Sequence, residues 1–97
     1  MKARTRGRTE KDRALTRHVK RRFAERFGMY ANRSFRLEVL RMIWGHRSRL
    51  IERQSLTRSI HRVTVGGLTV DVVYDKARHK LVTCLYPPRP EEEGDRA

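Results

Sequence analysis

Cysteine is almost missing from this chain, and acidic residues are scarce. The single cysteine, Cys84, excludes an internal disulfide and fits a reducing compartment. Paired Cys-x-x-Cys and His-x-x-x-His are lacking, and no carboxylates cluster within residues 10–88, so metal catalysis has little to build on, and no metal or other cofactor is expected. Gly66-Gly67 lies between two strand patterns rather than between a strand and a helix, so it is not a phosphate-cradling loop. No apolar run is long enough to span a membrane and no secretory signal is recognisable, so a cytoplasmic protein is expected.

The shortage of acids is what sets the charge. Against 24 Lys+Arg stand 11 Asp+Glu, a net +13 over 97 residues. Residues 1–62 hold 19 basic and 5 acidic side chains, net +14, while residues 63–97 hold 5 and 6, net −1. The positive field thus belongs to the first two-thirds of the chain. Such a field attracts phosphate backbones by counterion release. Arginine greatly outnumbers lysine, and its planar fork suits bidentate phosphate contact better than an anionic membrane surface. The expected partner is RNA or another nucleic acid, with no membrane role. The expected contacts are Arg17, Lys20, Arg21, Arg26, Arg47, Arg49, Arg53, Ser55, Arg58 and Arg62.

The chain reads as one α+β domain over residues 10–88, with a disordered basic arm (1–9) and a disordered acidic, proline-rich tail (89–97). Glu91-Glu92-Glu93 and Asp95 in that tail either solubilise the chain or fold back on the basic surface. Thr9 to Asp12 has capping-box spacing, and Leu15, Val19, Phe23 and Phe27 form a stripe, predicting a helix over Glu10–Phe27 stopped by Gly28. Asn32 or Ser34 caps a second helix to Trp44, with Gly45 as its stop. Leu50–Arg53 reads as a short strand, and Gln54–Ser59 as a loop or bulged strand. Three antiparallel strands follow: Ile60–Val65, Leu68–Tyr74 and Lys80–Tyr86. Gly66-Gly67 and the polar stretch from Asp75 to His79 form the turns, and Pro87 ends the last strand. Two helices on one face of a four-stranded antiparallel sheet bury both stripes most simply.

What chemistry remains is metal-free cleavage of RNA by its own 2′-hydroxyl. That reaction needs a proton acceptor, a proton donor and fixed cations. His18 and Arg22 are one helical turn apart on the flank of the apolar stripe, where helix meets sheet. His61 and Arg62 point to opposite faces of their strand, and His61 is the second candidate base. Thr83 interrupts an apolar strand, where a hydroxyl is either structural or part of a site; Cys84 beside it is expected to be a buried structural thiol. His46 and His79 fall in turns.

These residues resemble a known pattern. His18 and Arg22 precede the Glu25-Arg26-Phe27-Gly28 stop, and a second helix ends at Gly45. Basic and hydroxyl residues run from Arg53 to Arg62. The chain then closes with Val72-Val73-Tyr74-Asp75 and Leu81-Val82-Thr83-Cys84-Leu85-Tyr86-Pro87. From His18 to Pro87 it looks like a compact member of the barnase–EndoU–colicin–RelE superfamily of ribonuclease toxins. Trp44 and the basic arm have no counterpart in that pattern. The resemblance implies two helices on a four-stranded antiparallel sheet, and metal-independent endoribonuclease activity. It assigns the site to His18, Arg22, Arg53 or Arg58, Ser55 and Thr83. It fits a phage or mobile-element setting, with an antitoxin or other acidic protein as a further partner. The alternative is a non-catalytic module of the same shape that binds nucleic acid or a nucleic-acid enzyme.

Overall fold

The structure is a computed structural model, described here for residues 10–85. The basic arm, the Thr9 cap, Tyr86, Pro87 and the acidic tail lie outside the described residues. Helix α1 spans Glu10–Phe27 and α2 spans Arg33–Trp44; the strands are β1 (Arg49–Arg53), β2 (Arg58–Val65), β3 (Leu68–Asp75) and β4 (Lys80–Cys84). The sheet is an antiparallel meander in the order β1-β2-β3-β4, with both helices packed on one face.

Local chemistry explains each boundary. Asn32 caps α2, its side-chain oxygen accepting from Phe35 N at 2.9 Å. Gly28, at φ 64°, gives α1 its left-handed stop. Helix α2 ends at Trp44 with Gly45 as its cap, as expected, but the closure differs from that of α1. Gly45 stays at φ −89°, and the left-handed residue is His46, at φ 59°. Arg47 N donates to Met42 O at 2.8 Å and His46 N to Ile43 O at 3.2 Å, a Schellman closure with His46 where glycine is usual. Gly66 and Gly67 both take positive φ, so Val65 pairs with Leu68 across a two-residue turn. In the β3–β4 turn, the Asp75 carboxylate accepts from Ala77 N and Arg78 N, at 2.9 and 3.2 Å. β4 runs to Cys84; Leu85, expected to continue it, lies outside the strand, although its N still donates to Asp71 O at 2.9 Å.

The pleat sorts the side chains. Val63, Val70, Val72, Tyr74, Leu81 and Cys84 face the helices and join Val19, Phe23, Val39 and Ile43 in the core. Phe23 is its centre, fully buried, with Phe27 and Phe35 rings 5.6 and 5.3 Å away. Helix α1 lies along β4, and α2 crosses from β4 towards β2. β1 is exposed along its whole length. The other face of the sheet carries Ile60 and Val73 between two ion pairs. Arg62 grips Asp71 in a bidentate fork at 2.7 and 2.9 Å, and Arg58 Nε lies 3.2 Å from Asp75.

Candidate nucleic-acid interface

The expected site residues fall into separate groups, because α1 lies over β4 while β1 forms the opposite edge of the sheet. His18, Arg22 and Arg26 lie together on α1, which packs along β4, and only Arg26 meets Thr83, through the Cys84 carbonyl. Residues 18, 22 and 26 follow one another at successive turns of α1. Arg26 Nη1 donates to the main-chain oxygen of Cys84, and the Thr83 hydroxyl donates to the same oxygen at 3.4 Å. Thr83 pairs with Val73 and so lies on the sheet face away from the helices, reaching round the strand edge to that carbonyl.

The half-buried His18 imidazole has its pKa pushed below the ordinary 6.5 by burial first, then by the guanidiniums of Arg22, Arg21 and Arg26, against a weaker opposite pull from Glu25. Burial and the guanidiniums both favour its neutral form. No hydrogen bond to another described residue occupies either ring nitrogen. Glu25 is held by Arg22 at 2.7 Å. This side of α1 is thus a strip of guanidiniums containing one imidazole base. Burial pushes the Cys84 thiol up to about 11, so the sulfur beneath this strip is inert rather than nucleophilic.

His61 is in a different situation. It faces the helix side of β2, as alternation with Arg62 requires. Its Nδ1 shares a hydrogen bond with the Ser48 hydroxyl at 2.9 Å and its Nε2 one with the Ser59 hydroxyl, also at 2.9 Å. Its ring meets that of Tyr74 edge-on at 6.1 Å, and the Trp44 indole N–H donates to the Tyr74 hydroxyl at 2.8 Å. Burial and then Arg53 depress the His61 pKa as well. Sequence reasoning missed Ser48, Ser59 and Tyr74 as partners of His61, and Trp44 as the donor to Tyr74. Ser59 was findable, being two residues away on the same strand face.

The remaining expected contacts divide by employment. Arg58 and Arg62 are committed to Asp75 and Asp71. Arg17 reaches Glu10 at 3.3 Å, and the Lys20 ammonium sits 5.6 Å over the Tyr30 ring. The Ser55 hydroxyl accepts from Thr57 N and Arg58 N and so shapes the β1–β2 loop. Arg21, Arg47, Arg49 and Arg53 are exposed and form no ion pair among the described residues. Nor do any three His, Cys, Asp or Glu side chains among the described residues come together to hold a metal ion. No described helix is long and apolar enough to cross a membrane.

Comparison with protein-family models, with curated proteins and with solved structures gives no match to this chain.

Proposed function

We propose that the chain binds RNA along the α1–β4 edge and cleaves it without a metal ion, as the compact barnase–EndoU–colicin–RelE toxins it resembles would, in a cytoplasmic setting. The observation that supports this reading is the half-buried imidazole of His18 among three guanidiniums, without a hydrogen bond to another described residue and with its charged form disfavoured. A neutral imidazole takes the proton of a ribose 2′-hydroxyl. The freed oxygen attacks phosphorus, the P–O5′ bond breaks, and the imidazolium or a water returns a proton to the leaving oxygen. The products are a 2′,3′-cyclic phosphate and a 5′-hydroxyl. Arg26 and Arg22 supply the fixed charge that the crowded phosphate needs, Arg22 by exchanging Glu25 for substrate. Thr83, on its long and weak bond to Cys84 O, has a hydroxyl free to turn towards the same phosphate.

One observation favours the binding-only alternative. Among the described residues the one acid acting on His18 is Glu25, and Arg22 holds it, so no second acid–base group of these residues stands ready. The test is an RNA cleavage assay in EDTA with a 2′-deoxy control. Cleavage of RNA alone supports catalysis. Tight binding of both with neither cut leaves a binding module.

A further inference from the structure

Helix α2 ends on an aromatic residue that the apolar core does not absorb. Trp44 is 46% exposed, although it is the largest apolar side chain in the protein. Its indole is nevertheless held in place. The N–H donates to the Tyr74 hydroxyl at 2.8 Å, and Tyr74 is itself buried and set edge-on against His61. The Schellman closure just beyond it fixes the backbone from Gly45 to Arg47. The Arg47 guanidinium folds back beside Gly45, and Arg53 lies close enough to His61 to act on its proton. A ring anchored by one edge and half open to solvent, with Arg47 beside the next residue and Arg53 near His61, neither in an ion pair among the described residues, matches what single-stranded nucleic acids require. The cations hold the backbone and the π-face takes a base.

We infer that Trp44 is a stacking platform for an unpaired nucleobase, which makes the preferred ligand a single strand rather than a duplex. This rests on the reading that the chain binds RNA, and it concerns a second place on the surface, across the sheet from His18. A duplex keeps its bases stacked on each other and offers the indole nothing. A single strand that follows the basic surface can turn one base out onto it. Base identity matters little, because every base has a π-face.

Trp44 is the only tryptophan, so its fluorescence reports on this site alone. Three probes of similar charge separate base from backbone: a short 2′-O-methyl oligouridylate, which cannot be cleaved, an abasic ribose-phosphate oligomer, and a blunt RNA duplex. Anisotropy of labelled probes measures binding independently. The single strand should bind and quench the indole, while the abasic oligomer and the duplex bind without quenching. Trp44→Ala should weaken single-strand binding on the order of 10-fold or more, leaving the abasic oligomer unchanged. Trp44→Phe should keep most of the affinity, which distinguishes stacking from a folding defect. Single-strand binding without quenching, or equal loss for single strand and abasic oligomer, overturns the platform while leaving RNA binding intact. No binding of any probe overturns both. Quenching without cleavage of unmodified RNA supports the platform and removes only the catalytic reading.

Discussion

His18 and His61 show how much a residue's surroundings decide, since both imidazoles are depressed in pKa yet only one has its nitrogens unengaged. His61 joins two serine hydroxyls, so His61→Ala leaves Ser48 and Ser59 without their partner and should cost about 1–3 kcal/mol of stability. His18 makes no such bonds. His18→Ala should change stability little, within roughly 0.5 kcal/mol, while RNA cleavage falls on the order of 10²–10⁴-fold. Urea titrations beside initial rates check both. The pH dependence follows the same shifts. Each folded imidazole binds its proton less readily than in the unfolded chain. Their contribution to stability is therefore complete above the unfolded value of 6.5 and is lost as pH falls from there through the folded pKa values. The urea midpoint should drop on acidification below pH 6.5, and drop less in a chain carrying His18→Gln and His61→Gln. The positions of single residues on faces were legible where period two applies, as for His61 against Arg62. The partners of His61 were not, because Ser48 and Tyr74 reach it only through the end of α2 and the pairing of β2 with β3.

At the level of elements, α1 and the meander were readable because strong local chemistry agrees with the hydrophobic period. Gly28 and the Gly66-Gly67 pair take the left-handed angles their turns need. The end of α2 at Trp44 and Gly45 was also readable, although the left-handed residue beyond it is His46. A non-glycine residue there carries a steric cost, so His46→Gly should stabilise the protein by up to about 1 kcal/mol. A raised melting temperature with unchanged RNA affinity would show it. The roles of Arg58 and Arg62 were hidden for a different reason. Charge counts cannot show that each stands opposite an aspartate on β3, a fact set by the strand register. Truncating Arg62 strands a nearly buried carboxylate, and Arg62→Ala should cost about 3–5 kcal/mol. An RNA-contact role alone would instead leave the denaturation midpoint where it was.

Across the whole molecule, the charge asymmetry and the layered fold act together. The sheet buries the apolar stripes of α1 and α2, which leaves the arginines of α1 outside along β4 and those after α2 outside near β1. If five phosphates are neutralised on this surface, log K for single-stranded RNA should fall with log salt at a slope of about −3.5. A flat response would point instead to an acidic protein partner. The central claim, that His18 works as a base in a guanidinium strip, is tested most directly by one comparison. Wild-type and His18→Ala proteins are incubated in EDTA with unmodified RNA and its 2′-deoxy counterpart, and the product ends are sequenced. The account predicts 2′,3′-cyclic phosphate ends from wild type on RNA only, and their near-disappearance in His18→Ala with binding and stability retained. Equal cleavage by both proteins, or no cleavage by wild type despite tight binding, would contradict it.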